Sequence, residues 1–166
     1  MIMAGVAIAR KNAAIAITKT NIQNWLSALK QYVQDTGKYP GREYKDGENG
    51  FPALFEALCG EKEPKGKGGP SAPYIQVKED DILIFDEDIG DEGDYRPATP
   101  DEVYTPKLKK YIRDSWNVPL IYHENATRSR AKRPWIHDPK ADIYSTGPDK
   151  TDQTIDGEKG DDIGSW

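Results

Sequence analysis

The sequence predicts an α+β protein, one long amino-terminal helix followed by a turn-rich region with a short second helix and a few strands. Three observations predict it. The first 35 residues contain no proline, only one glycine (Gly5), and apolar side chains at helical period. All twelve prolines and every other glycine follow, which implies many turns rather than an all-helical bundle. Short apolar runs of strand length then sit between turn residues, as at Ile82–Phe85 and Asp142–Ser145.

The helix is read over residues 1–36. Ile8, Ile15, Ile22 and Leu29 recur every seven residues, with Trp25, Leu26, Tyr32 and Val33 on the neighbouring stripe. Such a helix runs about 50 Å, so half of it is expected to project from the domain or pack on other subunits. Gly37 supplies the stop and Pro40 prevents continuation. Residues 37–166 form the globular part. Phe51–Leu58 reads as a second helix, and Cys59 at its end as a buried small hydrophobe. Gly66-Lys67-Gly68-Gly69 has no preceding strand and no following GK[ST], so it reads as linker rather than phosphate cradle. Residues 79–94 carry nine acidic side chains and no basic one around Ile82-Leu83-Ile84-Phe85, a strand flanked by solvated charge. Residues 111–122 read as a turn leading into a strand, Arg128–Arg133 as a basic hairpin tip, and Asp142–Ser145 as the returning strand.

At 166 residues the chain suits one compact domain with a modest core. Its net charge of -5 argues against nucleic-acid partners and anionic membranes, and suits a divalent cation. No segment reaches the ~18–20 apolar residues of a membrane span. The apolar start, Met1 to Ala9, reads either as an ordinary helix start or as the tail of a membrane helix. Nothing points to an enzyme. His123 and His137 lack zinc spacing and flank the basic loop, which reads them as surface or strand-end residues. Ser145 sits in no nucleophile elbow, and Cys59 has no evident base.

Chemistry concentrates after Gly147. Asp149, Asp152, Asp156, Glu158, Asp161 and Asp162 are interleaved with Gly147, Gly157, Gly160 and Gly164. Calcium takes six to eight oxygens from carboxylates and carbonyls, and a glycine-rich loop can curl to present them. Asp152, Thr154, Asp156 and Gly157 match the first, third, fifth and sixth positions of an EF-hand loop. The twelfth position falls on Ile163 instead of a glutamate, so the EF-hand reading fails. Pattern alone leaves a solvated acidic tail and a metal loop equally open. The closing Ile163-Gly164-Ser165-Trp166 suggests an end that folds back and docks.

Three motifs carry a family resemblance. Asp142-Ile-Tyr-Ser-Thr-Gly-Pro-Asp149 followed by Asp161-Asp-Ile-Gly-Ser-Trp166 closely resembles the carboxy-terminus of the major pseudopilins of type II secretion systems. Asp114-Ser-Trp-Asn-Val-Pro-Leu-Ile-Tyr122 resembles their Asp-Pro-Trp-Gly-Asn-Pro-Tyr-x-Tyr motif. Thr36-Gly-Lys-Tyr-Pro40 resembles the Asn-Gly-x-Tyr-Pro that ends their long helix. The motifs occur in the family's order and span nearly the whole chain.

The resemblance implies a pseudopilin (type IV pilin-like) fold: a long amino-terminal helix packed on a small antiparallel sheet, with a calcium-bearing loop at 146–166. Carried onto matching positions, it implies Ca2+ held by the carboxylates of Asp149, Asp161 and Asp162, with carbonyls near Thr146 and Thr151. It further implies self-assembly into a periplasmic pseudopilus, with other pseudopilins and inner-membrane secretion components as partners and an inner-membrane anchor in a segment ahead of Met1. A type IV pilin or minor pseudopilin is the alternative within that class, and a calcium-stabilised secreted adhesin or binding domain the alternative outside it. Three departures stand out. The prepilin-peptidase motif is absent, the Asp149–Asp161 loop is longer and brings in Asp152 and Asp156, and residues 76–104 look like an insertion.

Overall fold

A computed structural model describes residues 2–45, 48–60, 72–89, 93–106, 108–127, 138, 140–154 and 160–166. The Gly66–Gly69 run, the Arg128–Arg133 loop, His137, Asp156, Gly157 and Glu158 lie outside the described residues.

The protein is α+β, a long amino-terminal helix with small antiparallel sheets. Helix α1 spans Ile2–Thr36 and α2 spans Phe51–Cys59. Strands β1 (Ile82–Asp86), β2 (Asp94–Pro97) and β3 (Lys110–Ile112) form one sheet in the order β2-β1-β3, with the short helix α3 (Pro100–Val103) between β2 and β3. Strands β4 (Ile121–Glu124), β5 (Ala141–Ser145) and β6 (Ile163–Gly164) form a second, in the order β4-β5-β6. Every pairing is antiparallel. The single sheet of the sequence expectation is therefore two. They meet at the turn after β3, where Leu120 N–H donates to Ile112 O (2.8 Å) and Asp114 N–H to Val118 O (2.8 Å).

The heptad stripe of α1 divides into two halves with different surroundings. Thr18, Ile22, Trp25 and Leu29 are buried at alternating four- and three-residue steps, with Ala28 beside them, one face of a helix turned to the domain. Residues 5–13 are exposed all round, and Ile8 is 62% exposed. Gly37, at φ +71°, stops the helix by donating to Val33 O (2.8 Å). α2 is buried on nearly every side because it lies between α1 and strands β3 and β4. Its Phe51 ring meets Trp25 edge-on at 4.9 Å. Each core side chain of this size contributes roughly 1.5–3 kcal/mol by leaving water.

Residues 76–104 are not an appendage. They supply β1, the central strand of the first sheet, and bury Ile82, Leu83 and Ile84 in the common core. Two side chains also depart from expectation. Cys59 is half-buried rather than buried, since α2 ends there at the domain's edge. His123 lies near the end of β4, one of the two positions expected, but it is buried: it shares with Tyr144 the face of the second sheet opposite the core residues Tyr122 and Ile143.

Asn49 knits α2 to the second sheet. Its Nδ2 donates to Leu120 O (2.9 Å), while its Oδ1 accepts from Phe51 N–H (3.0 Å) and Tyr122 N–H (3.0 Å). Asn49→Ala strands three backbone groups at once. A loss of about 2–3 kcal/mol is expected in urea or thermal unfolding, and a loss under ~0.5 kcal/mol would show that the bridge is dispensable.

Candidate metal centre

The carboxy-terminal loop starts from a rigid base. Asp114 is buried in the β3–β4 turn, where its Oδ1 accepts from Trp116 N–H (2.7 Å) and Val118 N–H (2.9 Å). Its Oδ2 takes the Ser145 hydroxyl (2.6 Å), and Ser145 Oγ in turn accepts from Gly147 N–H (3.0 Å). The last residue of β5 and the first turn of the loop are thus tied to a carboxylate in the opposite turn. A second tie runs through Tyr144, whose hydroxyl donates to Asp152 Oδ2 (2.9 Å) and lies 3.2 Å from His123 Nε2.

The loop closes where Ile163 and Gly164 pair with Ser145 and Tyr144 as β6. The chain folds back as the terminal apolar residues suggested. Ile163 is buried, whereas Trp166 stays 52% exposed with its ring 5.8 Å from Tyr144. Gly147, at φ +71°, makes the close approach possible. A Cβ there would lie 2.5 Å from the Asp161 carbonyl oxygen and 3.1 Å from its carboxyl carbon. Only glycine admits both the left-handed backbone and the returning segment.

Asp149, Asp161 and Asp162 are brought into this closed loop, each in a different environment. Asp149 Oδ1 accepts from Thr151 N–H (2.8 Å) and Oδ2 from Gln153 Nε2 (2.5 Å). The Thr151 bond, outweighing burial and joined by the Gln153 amide, holds the Asp149 carboxyl below the usual range. Asp161 moves the other way: burial first, then the facing Asp149 charge, pushes it up. Asp162 is also raised, chiefly by burial, although its Oδ2 accepts from Thr154 N–H (2.7 Å) and Oγ1 (2.6 Å). Thr151 is exposed beside Asp149, and Thr146 is buried next to Gly147.

Carboxylates alone do not build a cage. Among the described residues, no group of three His, Cys, Asp or Glu side chains is placed to hold an ion. The oxygens to spare are of mixed kind. Among the described residues, the buried side-chain polar atoms without a hydrogen-bond partner are Thr146 Oγ1, Gln153 Oε1, Asp161 Oδ1 and Asp162 Oδ1. All four are oxygens able to accept, and all lie in this loop. Each unpaired buried group costs about 1–3 kcal/mol, so their concentration in one place calls for a positive partner. A hydroxyl, an amide and two carboxylates suit a hard cation such as calcium rather than a soft, sulfur-seeking metal. Thr146, Gln153, Asp161 and Asp162 fit such an ion.

Sequence reasoning did not find Gln153, the bonds from Thr154 to Asp162 or the Asp114–Ser145 tie. A glutamine four residues after an aspartate in a loop has no periodicity to reveal it. Comparison of the chain with protein-family models, curated proteins and solved structures finds no match.

The shifts set a sign for pH. A carboxyl raised in the fold is harmless while protonated and unfavourable once ionised, so its cost appears as pH climbs through the raised value. In EDTA, Asp161→Asn is expected to melt higher than the parent at neutral pH. That gain should vanish as pH falls to the ordinary carboxyl value of about 4. An equal gain at both pH values would show that Asp161 carries no ionisation cost.

Proposed function

We propose that this chain is the periplasmic part of a type II secretion major pseudopilin, a calcium-stabilised filament subunit whose work is assembly rather than turnover. The observation that carries this reading is the set of orphaned acceptor oxygens in the loop to which the family resemblance assigns calcium. When bound, the ion would neutralise the facing Asp149 and Asp161 and lock the end of the chain onto β5. Asp149, Asp161 and Asp162 would supply charge, and Thr146 and Thr151 would complete the shell.

The architecture supports the filament role. The buried half of α1 anchors it to α2 and the second sheet, while its first half leaves Val6, Ile8 and Ile17 exposed, apolar surface of the kind that packs helix against helix. Among the described residues, no helix is long and apolar enough to cross a membrane. Partners in this reading are further copies of the chain, other pseudopilins and inner-membrane secretion components.

An ion that binds only the folded state stabilises it by about 2.7 kcal/mol at a hundredfold excess over Kd. Calcium should therefore raise Tm by roughly 5–10 °C over EDTA, and Asp161→Asn should abolish the rise. Identical melts in calcium and EDTA would reject the metal centre. Ile8→Asp should leave the melt of the isolated subunit unchanged while preventing filament formation, scored by cross-linking in a secreting cell; normal filaments would reject the role given to α1.

A further inference from the structure

Gln153 stands apart from the rest of the loop. Its amide nitrogen donates to Asp149 Oδ2 at 2.5 Å, and only the NH2 side of an amide can meet a carboxylate. The oxygen is thereby turned the other way, against Gly160, where it is buried without a partner. Gly160 is what admits it: a Cβ at that position would run into Gln153 Oε1 and lie 2.8 Å from Cγ. One short stretch thus orients an amide so that its donor is used and its acceptor is spare. A second buried acceptor lies in the same loop. Thr146, only 5% exposed, carries an orphaned hydroxyl on the residue before Gly147, against which Asp161 packs.

Resting on the calcium reading above, we infer that the Gln153 side-chain oxygen is itself a ligand of the ion, recruited by the lengthened loop. Asp152, the other side chain that the longer loop brings in here, is instead a positioning residue, since its Oδ2 takes the Tyr144 hydroxyl and ties the loop to β5. A neutral oxygen is the economical addition at this point. Calcium needs six to eight oxygens, and a further carboxylate beside Asp149 and Asp161 would add repulsion to a pair that already faces each other. The amide fills the shell without charge and at the same time steadies Asp149.

Terbium luminescence, with calcium competition, tests the assignment on the whole chain. Gln153→Leu removes the oxygen and keeps the bulk. It should weaken calcium by at least the ~10-fold that even an outer-shell change costs. Lifetimes in H2O and D2O should show about one additional water on the ion, the vacated place in its shell. Gln153→Glu keeps an oxygen but loses the donor to Asp149, so it separates the two roles. A ligand predicts near-parental or tighter binding by Gln153→Glu; a residue that only positions Asp149 predicts a loss at least as large as that of Gln153→Leu. Parental affinity and water count in Gln153→Leu, or that larger loss in Gln153→Glu, overturns the assignment while the calcium centre stands. Absence of binding by the parent chain overturns both.

Discussion

The buried carboxylate of Asp114 is the constraint on which the rest of the architecture depends. It sits in the turn where the two sheets join, takes two backbone N–H groups of that turn, and receives the Ser145 hydroxyl from β5. The residue beside it, Ser115, reaches the helix: its hydroxyl donates to Ala14 O (3.0 Å), and its N–H donates to Thr18 Oγ1 (3.3 Å). Two adjacent residues therefore register α1, both sheets and the start of the carboxy-terminal loop against one another. A buried carboxylate is tolerated because its oxygens are satisfied; with the partners removed it would be a buried charge without compensation.

That registration explains why one half of α1 is structural and the other is free. The sheets and α2 present apolar surface only as far up the helix as the Ser115 contacts. Towards the amino-terminus from Ala14, residues 5–13 are exposed, although the apolar spacing runs on through Ile8. The same period thus serves two environments. Inside the domain it fills a core, with Ile22 and Leu29 packed under α2; outside it is a surface available to a neighbour.

The carboxy-terminal loop combines a rigid frame with electrostatics that work against it. Asp114–Ser145–Gly147 holds one end, β6 holds the other, and Tyr144–Asp152 pins the middle. Within this frame Asp149 and Asp161 face each other and four acceptor oxygens go without donors. Such a site is costly on its own and favourable around a cation, because the charges and lone pairs that repel one another all point to the same remedy.

Much of this was legible in the sequence, and what was not has a physical reason. The extent of α1, its stop at Gly37, the second helix, the strands at 82–86 and 141–145 and the returning end all follow from local period and turn chemistry. Those forces act over a few neighbouring residues, and the sequence alone determines them. It also placed Asp149, Asp161 and Asp162 in one acidic loop. The tertiary structure alone decided how the pieces meet. Only the pairing of β1 with β3 makes residues 76–104 part of the core, and only the packing on the loop side of the second sheet buries His123 beside Tyr144. Only the folded loop sets the carboxyls of Asp149 and Asp161 apart, through the Thr151 bond to one and the burial of the other, and only the seating of Gln153 between Asp149 and Gly160 leaves it a spare oxygen. Contacts between residues 14 and 115, or 114 and 145, depend on chain closure over long separations, and no local pattern encodes them.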